Sequence, residues 1–264
     1  MPRISKPQDK QNAKITQNLD WNDFVSDIIM GKYALLIGSE VMLKKSSDCG
    51  YGDSTRSILD CIMEDLKATQ VLGPDFRCDT FTELAIRCGR SDIREEIIRS
   101  LEDGPLKTYE CLIEDMSEEL TRLLRTKFFR VVMTTTFDPY LENLMRSIWG
   151  DNLRILNIYD DTNCDISANE QCSDEFDIKP TLYYICGKVN KRGKKFVASE
   201  NDAIEVVARW FSNKAPKNFL SYLHTKGLIS LGCKFDNWLF RFFWYILRAG
   251  DIVDSSLKDT VAIS

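Results

Sequence analysis

A single histidine, His224, stands in 264 residues, and no two of the nine cysteines are spaced as C-x-x-C. A zinc centre of ordinary ligand spacing therefore has almost nothing to be built from, so no metal is expected. The cysteine count is odd and the positions are scattered, which reads as reduced thiols in a cytosol. There is no basic excess either. The net charge is −5 and the pI is near 5.2, which argues against a surface devoted to nucleic acid. No apolar run approaches the ~18 residues of a membrane span, and residues 1–18 are polar with no apolar h-region. The expectation is a cytoplasmic protein with no membrane partner, preceded by a disordered tail over 1–18.

What the chain does have is apolar content, 44% of residues, enough for one large core or two small ones. "DWNDFVSDIIMGK" places Trp21, Phe24, Val25, Ile28 and Ile29 at helical spacing, with Asp20 as N-cap and Gly31 as stop. "YALLIG" follows as a short continuous apolar run, which suits a strand buried on both faces. The stretch 39–54 has no periodicity and reads as a loop, and helical patterns then fill about 55–127 as an inserted layer. Strands resume in "FFRVVMTT", "NLRILNIY", "TLYYICGKV" and "LISLGC", with helices between and after them. The acidic segment 160–180 reads as a surface loop. Apolar strands alternating with helices over 19–250 predict an α/β domain, an open parallel sheet with helices on both faces. Residues 251–264, with a possible strand in "SSLKDTVAIS", read as a linker or the start of a following module, which points to a fused or associated effector domain after 264.

In open α/β sheets ligands bind beyond the carboxyl ends of the strands. Four apolar strands end there in "LLIGSE", "VVMTTTFD", "YYICGK" and "ISLGCKFDNW". In order and context these resemble the sirtuin-like superfamily, in particular its bacterial anti-phage defence branch, whose members cleave or sense nicotinamide adenine dinucleotide (NAD). The family's Gly-Ala-Gly-x-Ser is matched by Gly38, Ser39 and Glu40 in "GSEVM". Its Thr-Thr-Asn-Tyr-Asp is matched by Thr134, Thr135, Thr136 and Asp138 in "TTTFD". Its strand ending in His-Gly is matched by Cys186 and Gly187, and its Gly-Tyr-Ser-x-x-Asp-Trp by Gly232, Cys233 and Asp236 in "GCKFDNW". The resemblance implies a Rossmann-like domain, NAD or an ADP-ribose-like nucleotide as ligand, and a bacterial defence setting.

The departures bear on chemistry. Glu40 stands where a second glycine would let backbone approach a pyrophosphate, and its carboxylate repels phosphates. Thr136 takes the place of the family's asparagine and Cys186 that of its general-base histidine. A threonine lacks the amide's fixed donor and acceptor, and a cysteine serves as base only as thiolate, with an ordinary pKa of about 8.5. Asp138 is kept. The resemblance with these exchanges implies a degenerate sirtuin-like domain, a nucleotide-sensing or oligomerisation module without catalysis. An active NAD hydrolase using Asp138, and an ADP-ribose-binding domain without turnover, stay open beside it.

Each position also has a plainer explanation. Thr134, Thr135 and Thr136 combine β propensity with capping, and Asp138 can be the N-cap of the next helix. Cys186 reads as a small buried hydrophobe, and His224 as a partner for carbonyls at a helix end. "KRGKK" at 191–195 reads as a solvated turn. Most of the aromatic stripe Trp238, Phe240, Phe242, Phe243, Trp244 and Tyr245 reads as core, with a remainder for the interface of a homo-oligomer. Glu40 can fill, from within the chain, the place a phosphate would take. Glu40→Gly is accordingly expected to gain nucleotide affinity in a calorimetric titration, and an unchanged isotherm would refute the idea.

Overall fold

The computed structural model describes residues 20–38, 41, 44–45, 55–56, 58–79, 81–88, 95, 97–99, 118–159, 179–189, 195–211, 217–233, 238–248 and 261–263. The chain enters through helix α1 (Trp21–Ile29), whose start is fixed by Asp20: its carboxylate accepts from the N–H groups of Asn22 (2.9 Å) and Asp23 (3.3 Å). Gly31, at φ +68°, ends it in the left-handed region that costs glycine nothing. Strand β1 (Tyr33–Ile37) follows at once, every residue buried.

Between β1 and the next sheet strand lie β2 (Lys44–Lys45) and β3 (Thr55–Arg56), then helices α2 (Ile58–Ala68), α3 (Phe81–Arg87) and α4 (Glu118–Arg125). β2 and β3 pair antiparallel, so the stretch read as loop contributes a short ladder of its own. The sheet resumes with β4 (Val131–Thr134), helix α5 (Tyr140–Trp149), β5 (Arg154–Asn157) and β6 (Thr181–Tyr184). Helices α6 (Glu200–Phe211) and α7 (Lys217–His224), strand β7 (Gly227–Leu231), helix α8 (Trp238–Arg248) and strand β8 (Val261–Ile263) complete the described chain.

Six strands form one all-parallel sheet in the order β5-β6-β4-β1-β7-β8. Within 251–264, which reads as a linker or the start of a following module with a possible strand, Val261–Ile263 runs parallel to β7 as the outer strand of the same sheet. Its apolar Val-Ala-Ile sequence suits that place.

Side chains alternate between two cores, as a two-residue period demands. Tyr33, Leu35 and Ile37 join a cluster packed by α1 to α5, whereas Ala34 and Leu36 join a second cluster packed by α6, α7 and α8. The result is a Rossmann-like α/β sandwich with helices on both faces. Among the described residues no helix is long and apolar enough to cross a membrane.

Register places the last residues of all six strands side by side: Asn157, Tyr184, Thr134, Ile37, Leu231 and Ile263. The connection leaving β1 runs toward β4 and the one leaving β7 runs toward β8, so chain paths diverge between β1 and β7. That divergence is the switch point at which open sheets of this type form a crevice.

Candidate functional site

Gly38, Thr135, Thr136, Cys186, Gly187, Gly232 and Cys233 all follow directly on these level strand ends and share one edge of the sheet. Ser39, Glu40 and Asp236 lie outside the described residues. The sheet's hydrogen bonding continues past the strands: Gly38 N–H donates to Leu231 O (2.8 Å), Thr135 N–H to Ile37 O (3.1 Å), and Ile185 N–H to Thr134 O (3.1 Å). These amides are spent on the chain itself.

The glycines are explained in the same way. A Cβ on Gly38 would stand 2.1 Å from Gly232 O and 2.7 Å from the Cys233 Cα, so the bare α-carbon admits neighbouring backbone. Gly187 has φ +82° and would place a Cβ 2.5 Å from Lys195 O, because its backbone bridges to Phe196. Among the described residues, then, neither glycine reserves room for a pyrophosphate.

The threonines organise a turn. Thr134 Oγ1 accepts from Thr136 N–H at 3.1 Å and lies 2.9 Å from Thr136 Oγ1, both hydroxyls being buried. A strand ending on these hydroxyls thus satisfies a buried donor where the ladder stops. Phe137 then packs its ring 4.8 Å from that of Phe196, and its carbonyl accepts from Val189 N–H at 2.8 Å.

Asp138 is fully buried. Its Oδ1 accepts from Tyr140 N–H (3.1 Å) in the first turn of α5, and its own carbonyl accepts from the Tyr184 hydroxyl (3.1 Å). Oδ2 has no hydrogen-bond partner among the described residues. Burial pushes the carboxyl from 3.8 up to about 6, against the lowering pull of Tyr140 N–H and the Thr136 hydroxyl. Burial, and after it the negative charges of Asp138 and Glu142, hold the Tyr184 phenol well above its usual range.

Tyr184 leads from Asp138 to three further polar residues, Glu142, Arg146 and Lys188, and the sequence reading singled out none of the four. Glu142, itself buried, pairs through one oxygen with Arg146 Nε (2.9 Å) and through the other with Lys188 Nζ. Lys188 Nζ also lies 5.6 Å from the centre of the Tyr184 ring. The Glu142–Arg146 spacing of four was a readable signal. The contact from Lys188, 46 residues away from Glu142 along the chain, was not.

Cys186 takes a different side. Thr134 is in phase with Val132, which faces the α1 to α5 core, whereas Cys186 packs in the α6 to α8 core together with Cys233. Burial, with a lesser push from Cys233, raises the Cys186 thiol to about 12. The sequence reading grouped Thr136, Asp138 and Cys186 as family catalytic positions. The structure brings the first two together and sets the thiol in the other apolar layer. His224 Nε2 lies 3.4 Å from Ile246 O, a carbonyl of α8, which agrees with the plainer reading of that residue.

Among the described residues no group of three or more His, Cys, Asp or Glu side chains is placed to hold a metal ion. No protein-family model matches the chain, and no curated protein matches it.

Proposed function

We propose that the chain is a non-catalytic sirtuin-like module of a bacterial anti-phage defence protein, serving in nucleotide sensing or in assembly. One observation carries the reading. The position that the resemblance assigns to a general base holds a thiol buried in an apolar layer and pushed up to about 12, so at neutral pH it keeps its proton. A ribose hydroxyl presented at the Thr136 and Asp138 side would find no imidazole to deprotonate it.

The residues fit a nucleotide only in part. The strand-tip amides of Gly38, Thr135, Thr136 and Ile185 are already bonded within the chain, so a pyrophosphate would not be held by them. Asp138 Oδ2 is the group that would accept a hydrogen bond from a carboxamide or a ribose hydroxyl. Because Asp138 is fully buried, contact requires neighbouring segments to part.

A second reading has its own support. A carboxyl raised to about 6 suits acid–base work near neutrality, which favours an NAD hydrolase built on Asp138. Incubation of the purified chain with NAD, with free nicotinamide followed by chromatography, separates the two. The expected result is no release above the uncatalysed rate, with calorimetric titration of NAD and ADP-ribose reporting any binding. Turnover at about 1 s⁻¹ or faster, abolished in Asp138→Ala, would establish the hydrolase instead.

A further inference from the structure

Helices α6 and α8 pack side by side, with Trp210 against Phe243 (5.6 Å between ring centres) and Phe211 against Phe242 (5.5 Å). The inner rings, Trp210 and Phe243, are buried in the core. The outer ones are not. Phe211 is 69% exposed, Tyr245 59%, Ile204 58% and Trp238 42%, although each is large and apolar enough for a core. On α6 the exposed pair is spaced i, i+7, and on α8 Trp238, Phe242 and Tyr245 are spaced i, i+4, i+7, so each helix turns one continuous stripe outward. Together the stripes leave on the order of 400 Å² of apolar surface in one ridge, the size of the largest patch on a soluble domain, which is often a functional one.

The ridge is edged by unlike charges. On α6, Glu205 is exposed beside Ile204, one of its oxygens held by Arg209 at 3.2 Å. On α8, Arg241 is exposed between Trp238 and Tyr245, with no carboxylate against it among the described residues. One helix thus presents apolar surface with an acidic edge, and its neighbour presents apolar surface with a basic one. A surface of that kind is complementary to itself: a two-fold axis through the ridge lays α6 of one copy on α8 of the other and brings Glu205 toward Arg241 twice.

We infer that this ridge is a homodimer interface, with Phe211, Tyr245 and Trp238 at its centre and reciprocal Glu205–Arg241 pairs at its edge. It rests on the assembly half of the function proposed above and names the surface that performs it. The ridge supplies roughly half of the ~800 Å² that each partner contributes to a stable interface, so the dimer requires the remainder from residues flanking both helices.

Sedimentation equilibrium and light scattering on the 264-residue chain test it. The wild type is expected at twice the monomer mass. Phe211→Glu and Tyr245→Glu are each expected to give monomer with unchanged circular dichroism. Arg241→Glu is expected to weaken the dimer about tenfold or more, and adding Glu205→Arg to it should restore the affinity. Val25→Glu, on the exposed face of α1 in the opposite layer, should leave the mass unchanged. A wild type that stays monomeric, whether because a different protein or another domain covers the ridge, overturns the inference; so does a dimer insensitive to these substitutions. Nicotinamide release is read independently, so turnover would overturn the module reading without altering the mass, and a monomer without turnover would overturn the interface alone.

Discussion

Replacing Gly38 by alanine is expected to destabilise the fold by about 3 kcal/mol and lower the melting temperature by roughly 10 °C. The added methyl would stand 2.1 Å from Gly232 O and 2.7 Å from both the Cα and the Sγ of Cys233. Two of those three atoms are backbone, which cannot swing aside as a side chain can. β1 and β7 are moreover tied at this point by Gly38 N–H to Leu231 O, so the strands must separate to admit the methyl. Thermal denaturation followed by circular dichroism measures the effect. Gly73→Ala is the comparison, because a Cβ at Gly73 meets nothing within 4 Å and should change little. Equal melting temperatures for the two variants would mean that the strand tips are not in contact.

The second large effect depends on pH. In the folded chain Asp138 holds its proton up to about 6, whereas in the unfolded chain it titrates near 3.8. The folded state therefore binds the proton more tightly. Its contribution to stability is complete below pH 3.8, declines through the window from 3.8 to about 6, and is gone above it. From well below that window to well above it the loss amounts to about 3 kcal/mol. Asp138→Asn does not titrate, yet it keeps an oxygen to accept from Tyr140 N–H. The variant's stability relative to wild type is accordingly expected to rise by about 2 kcal/mol between pH 4 and pH 7, whatever constant offset the new amide introduces. Urea denaturation of both proteins across that range measures it. A flat difference would mean that the carboxyl is not buried as described.

Much of the fold was legible because it is carried by repetition. β1, β4, β6 and β7 announce themselves as apolar runs, and the helices between them by their spacing, so the parallel sheet followed from several agreeing signals. Asp20 and Gly31 marked the ends of α1 by local chemistry alone. Exposure was harder to read. Trp21, Val25 and Ile29 have the spacing of a buried face, but Phe24 and Ile28 are the residues that reach the core. β8 was legible only as a possible strand, and its place in this sheet was not, because three residues in an edge strand carry no period of their own.

The candidate site was legible as a place and less so as an arrangement. Register is what brings Thr134, Tyr184, Ile37 and Leu231 level, and no local pattern encodes it. The face on which Cys186 falls depends on the turn after β6, where the strand's alternation has already ended. Lys188 meets Glu142 only because that turn folds back over the start of α5.

With Cys186 and Cys233 sealed beneath α6 to α8, the molecule carries its own clock for one half of its structure. A thiol reagent can modify either sulfur only in the moments when that layer lifts from the sheet, and the rate of labelling counts those moments. Asp138 lies on the side of the other layer, so the two halves can be followed separately: one by alkylation of these two sulfurs, the other by its response to acid.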